Sequence, residues 1–123
     1  MIVTRICLLC LMLLAVQPVL AATAAVREMA GMLVKLEHYP SDAEKSRLKE
    51  IAASKDSSAQ EKVIANSMIN LKHTAADADK AKLKQIKDDA VATAEVRELA
   101  GILLGLNHKP SAADKDKLNQ MMK

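Results

Sequence analysis

Aromatic residues are almost missing from this chain: Tyr39 stands alone, with no Phe and no Trp. Surfaces that stack nucleobases, and cages that hold a quaternary ammonium, are built from π faces, so the composition argues against both. Three glycines and three prolines in 123 residues exclude collagen-like and Pro/Gly-rich chains. Cysteine is confined to Cys7 and Cys10 near the start. Neither sign of charge dominates, with 18 Lys and Arg against 15 Asp and Glu.

Apolar residues are plentiful but uneven. Residues 1–21 hold 17 of them. Arg5 supplies a positive start, Ile6 to Val16 an apolar run, Gln17-Pro18 a break, and Val19-Leu20-Ala21 small residues at the positions a signal peptidase reads. A membrane-spanning helix needs about 20 apolar residues, and Pro18 cuts this run short. Residues 1–21 are therefore expected to be a secretion signal cleaved after Ala21, with Ala22 and Ala24 as alternative positions. The mature chain, 22–123, would be periplasmic or secreted, with no membrane span, no thiol and no disulfide. Removing Arg5 leaves 17 basic residues (18 − 1) against 15 acidic ones, interleaved along the chain. Such a balance calls for neither nucleic acid nor an anionic membrane as partner.

The mature chain repeats itself. Shifted by 70, residues 22–53 fall on 92–123 without a gap, and 16 of the 32 positions are identical. A shift of 35 aligns the middle as well. Seven positions then recur in all three copies, among them Leu36/Leu71/Leu106, His38/His73/His108, Lys45/Lys80/Lys115 and Leu48/Leu83/Leu118. A fixed period of this size marks one supersecondary element per copy, each packed on the next. The period is near the length of a tetratricopeptide repeat, but the early Trp, the Leu-Gly and the Tyr of that pattern are missing.

Each copy reads as helix, turn, helix, in units of about 23–53, 58–88 and 93–123. Thr23, Ser58 and Thr93 are N-cap residues for the first helices, and Ser58 with Glu61 has capping-box spacing. Val26, Met29, Ala30, Leu33 and Leu36 lie at helical spacing, as do Ile64, Met68 and Leu71, and Val96, Leu99, Leu103 and Leu106. Pro40 and Pro110 end the first helix of their copies, and Ser41 and Ser111 cap the next. Leu48, Ile51, Leu83, Ile86, Leu118 and Met121 supply the buried faces of the second helices. The middle copy has neither Pro nor Ser in its turn, His73-Thr74-Ala75-Ala76. The pattern leaves open six short helices, or four with two of them long. Either way the fold class is all-α, a single helical domain of three tandem repeats.

Four groups of residues invite a functional reading. His38, His73 and His108 recur just before each turn, where an imidazole can bond the last free carbonyls of a helix. Ligation of a metal or haem is the alternative use. Donors for one ion must converge on it, whereas repeats stacked in a row, or alternating in direction, would keep these histidines apart. Met29 and Met32 suggest a soft copper site, but Leu99 and Ile102 stand at the aligned positions, which marks packing. Lys45, Lys80 and Lys115 read as solvated lysines paired with nearby acids such as Asp42 and Asp77. Gly31 and Gly101 fall within helices and imply close approach of a neighbour. No nucleophile elbow, His-Glu-x-x-His motif or phosphate loop is present. The expectation is an exported non-enzymatic helical-repeat protein without cofactor, presenting a surface to a protein or peptide partner. The alternative is a periplasmic metal- or haem-binding stress protein that uses His38, His73 and His108.

Overall fold

The computed structural model describes residues 22–123, so the segment read as a signal, 1–21, lies outside the described residues. Six helices make up the fold: α1 (Ala24–Val34), α2 (Asp42–Ala53), α3 (Ala59–Ile69), α4 (Asp77–Asp88), α5 (Ala94–Gly105) and α6 (Ala112–Met121). Among the described residues the protein is all-α. None of the helices is long and apolar enough to cross a membrane.

The choice between six helices and four is decided at the two junctions. Ser54 Oγ accepts from the Asp56 N–H at 3.2 Å, and Asp89 Oδ1 accepts from the Val91 N–H at 2.9 Å. Both are local side-chain bonds that give the backbone an alternative to continuing the helix. Asp89 is further tied to α3 by a 2.8 Å bond from Gln60.

Caps follow the hydroxyl residues. Thr23, Ser41, Ser58, Thr93 and Ser111 each accept from the backbone N–H three residues on, and Ser41–Glu44 and Ser58–Glu61 form reciprocal capping boxes. Ala76, at the head of α4, offers no side-chain cap. Every residue assigned above to a helical stripe is buried, with Met29, Leu33, Leu48, Ile64, Leu83, Leu99, Leu103 and Leu118 fully enclosed.

Helix pairing crosses the repeat boundaries. The most extensive contacts join α2 to α3 and α4 to α5, and next α1 to α6. Helices α1, α3 and α5 also touch one another, which places them inside and α2, α4 and α6 outside. Gly31 serves the α1–α6 approach: a Cβ there would lie 3.3 Å from Met122 Sδ. At the aligned Gly101 the neighbour is the Lys87 side chain at 3.8 Å, an ordinary contact.

Helices α1 and α2 touch little and are braced at the surface. Arg47 donates to both carboxylate oxygens of Glu28, at 2.6 and 2.7 Å, and to Glu50 at 2.7 Å. The hydrogen bond from Arg47 holds the Glu28 carboxyl below the usual carboxylate range, against a smaller opposing effect of burial. Lys117 and Glu98 repeat the brace between α5 and α6 at 3.5 Å. Buried Glu61 joins α1 to α3 by accepting 2.8 Å from the Thr23 hydroxyl.

Candidate metal centre

Each histidine sits in the connection between two helices of one sequence copy: His38 between α1 and α2, His73 between α3 and α4, His108 between α5 and α6. Alternation of burial builds the connection. Leu36, Leu71 and Leu106 are buried two residues before each histidine; Pro40, Ala75 and Pro110 are buried two residues after it. The three residues between these anchors are exposed in every copy. Since α1, α3 and α5 pack together, their connections meet at one end of the molecule.

There the three imidazoles converge. Ring centroids lie 5.1 Å apart for His38 and His73, 5.4 Å for His38 and His108, and 4.6 Å for His73 and His108. One nitrogen from each ring lies within 4.8 Å of the others. Neither a row of separated histidines nor an alternation between opposite ends is what the chain adopts, because the copies curl round α1, α3 and α5 rather than extending. The imidazoles face one another instead of the helix carbonyls.

Backbone bonds lock the cluster. The His73 N–H donates to the His38 carbonyl at 2.9 Å, and the His108 N–H to the His73 carbonyl at 2.7 Å. Among the described non-glycine residues, His73 and His108 alone have positive φ, at 65° and 67°. Each is the middle residue of a γ-turn: Thr74 N–H donates to Lys72 O at 2.7 Å, and Lys109 N–H to Asn107 O at 2.8 Å. Turns of this hand are rare and strained, and positive φ in residues bearing a Cβ concentrates at ligand clamps.

One imidazole is also oriented. His108 Nδ1 lies 2.7 Å from Asn107 Oδ1. An amide oxygen only accepts, so the contact suits the tautomer with its proton on Nδ1, in which the Nε2 lone pair is available to a ligand. A ring nitrogen donated to a neighbouring oxygen is the usual support of a metal-bound histidine.

Imidazole nitrogens are donors for Zn²⁺, Cu²⁺ and Ni²⁺, whereas Mg²⁺ and Ca²⁺ prefer oxygen. Nitrogens bound to such an ion at 2.0–2.1 Å sit about 3.3 Å apart in a tetrahedral site. The imidazole nitrogens, within 4.8 Å of one another, stand further apart than that and have to draw together around an ion. A porphyrin needs apolar faces, and the residues around these histidines are Glu37, Tyr39, Lys72, Thr74, Asn107 and Lys109, all exposed.

The other candidates fall into structural places. Met29 is fully buried and Met32 is packed partly against the core. Lys80 pairs with Asp77 at 3.2 Å, as its spacing suggests, while Lys45 Nζ stands 5.8 Å from the centre of the Tyr39 ring. A surface hollow of about 520 Å³ between α4, α5 and α6 includes Arg97, Glu98, Asp114 and Lys117 and none of the histidines. Comparisons with protein-family models, with curated proteins and with solved structures find no match.

Proposed function

We propose that this chain is an exported, non-enzymatic protein of three helix–turn–helix units whose turn histidines, His38, His73 and His108, bind one transition-metal ion of the Zn²⁺, Cu²⁺ or Ni²⁺ kind. The observation that carries the reading is convergence: one imidazole nitrogen from each copy within 4.8 Å of the other two. Support also comes from the strained φ values of His73 and His108 and from the Asn107 bond to His108. The packing of α6 on α1 favours this reading over a peptide-binding surface. Open stacks of helical repeats recognise peptides along an extended concave face, while a stack that curls back on itself gathers equivalent turns at one end.

Calorimetric titration of residues 22–123 with Zn²⁺, Ni²⁺ and Cu²⁺ at neutral pH tests it. One ion per chain is expected, with a dissociation constant below about 1 μM. Changing all three histidines to Asn should abolish the site and leave the helical circular dichroism intact. Binding weaker than about 100 μM, or binding indifferent to the triple substitution, overturns the proposal. Export is tested separately, by the intact mass of the protein from its native cells, which should begin at Ala22.

A further inference from the structure

The histidine cluster is a tripod with an open side. Zn²⁺, Cu²⁺ and Ni²⁺ take at least four ligands, and the cluster that the described residues offer contains three donors, His38, His73 and His108, and no carboxylate. At least one position on the ion therefore remains for a group from outside the cluster. All three histidines are exposed, so that group has access.

The open side has a definite place. Backbone bonds join His73 to His38 and His108 to His73, whereas no such bond joins His38 to His108, whose rings are also the furthest apart at 5.4 Å. A hollow of about 390 Å³ lies at that edge, lined by Glu37, His38, His108 and Lys109. Its volume is at the small end of the range of small-molecule sites. Two walls are metal donors, a third carries an ammonium, and the fourth a carboxylate.

We propose that this hollow binds a small carboxylate that fills the open position of the metal, with Lys109 as counter-charge. The inference rests on the metal-binding reading above. A divalent ion bound by neutral imidazoles keeps its full positive charge, and Lys109 adds to it, so the incoming donor is an anion. Glu37, which also lines the hollow, sets the second preference. It repels a second negative group and attracts a cationic one, so the favoured ligand carries an ammonium away from its carboxylate, as amino acids do. The pairing of a carboxylate with an ammonium belongs to this edge alone. The residue before the histidine is Glu37 in the first copy but Lys72 and Asn107 in the others, and the residue after it is Lys109 in the third copy but Tyr39 and Thr74 in the others.

The test uses residues 22–123 loaded with one equivalent of Co²⁺, whose visible spectrum reports its ligand set. Titration with acetate and with β-alanine should change the spectrum saturably in the range of about 1 mM. Metal retained on ultrafiltration shows that the additive joins the complex rather than stripping it. Lys109→Glu should weaken both ligands about tenfold in protein already loaded with one Co²⁺ per chain. Glu37→Gln should erase the preference for β-alanine over acetate. Failure of Co²⁺ to bind in a histidine-dependent way defeats the metal reading itself. Binding of Co²⁺ with no spectral response to either carboxylate overturns the present inference alone. So does a response that Lys109→Glu leaves unaltered, since the ligand would then not occupy this hollow. A spectrum insensitive to carboxylates but altered by Glu37→Gln would mean that Glu37 closes the open position itself.

Discussion

A left-handed backbone conformation costs a residue with a Cβ about 1–2 kcal/mol, which glycine escapes. His73 and His108 bear that cost at φ values of 65° and 67°, whereas His38 does not. The difference separates the use of the side chain from its contribution to the fold. Without metal, His73→Gly and His108→Gly should leave stability unchanged or raise it by up to about 1 kcal/mol, because relief of strain offsets the added freedom of the unfolded chain. His38→Gly should lose about 0.5–1 kcal/mol. Denaturant midpoints of the three variants check the contrast, and equal losses at all three positions would mean that the positive φ values carry no strain. The recurrence of His at this position was legible in the sequence, and so was its place at the end of a helix. Its backbone geometry was not. The γ-turns at His73 and His108 occur where tertiary bonds such as His73 N–H to His38 O meet the chain, and those bonds join residues far apart in sequence and leave no trace in local pattern. The contact of His108 with Asn107 likewise depends on a residue without counterpart in the other copies.

At the scale of the element, local chemistry was largely readable. Thr23, Ser41, Ser58, Thr93 and Ser111 cap helices as their residue types and positions require, and the stripes from Val26 to Leu36 and from Val96 to Leu106 are buried at the expected spacing. Both follow from interactions within four residues or from a 3.6-residue period. The junctions were not decidable in the same way: the stop after α4 depends on Asp89 bonding both Val91 and the distant Gln60. The one uncapped helix provides a test. Ala76 stands at the head of α4 where the other two copies have Ser41 and Ser111, with backbone already extended at ψ 145°. Ala76→Ser should therefore stabilise the protein by about 1 kcal/mol, and Ser111→Ala should destabilise it by a similar amount. Thermal or denaturant unfolding measures both, and no gain from Ala76→Ser would mean that the first turn of α4 is not short of a cap.

For the whole molecule the sequence showed the period but not the direction in which the copies turn. Helical repeats with the same buried stripe can extend as an open stack or curl until the last meets the first. The choice lies in small residues and contacts at the seams. Helix α6 packs on α1 much as α4 packs on α5: Met122 covers Gly31 where, 35 and 70 residues away in the alignment, Lys87 covers Gly101. The α1–α6 seam is thus the α4–α5 seam without its loop. Alignment fixes the length of the missing piece. Lys123 corresponds to Asp88 and Ala22 to Ala92, and three residues, Asp89, Ala90 and Val91, lie between Asp88 and Ala92. A circular permutant that joins Lys123 to Ala22 through three residues, and opens the chain between the exposed Ala90 and Val91, should fold with an unchanged helical spectrum. Permutation succeeds where the new ends fall in an exposed loop and the old ends are near one another. The permutant keeps all three histidine turns intact, so it should also bind metal with the stoichiometry of the parent chain. A one-residue linker should strain the seam and lower the denaturant midpoint, since the loop it replaces spans three. A permutant that is unfolded with the three-residue linker, or equally stable with one residue as with three, would mean that α6 does not close on α1 as α5 does on α4. The histidines would then lose the geometry that brings them together.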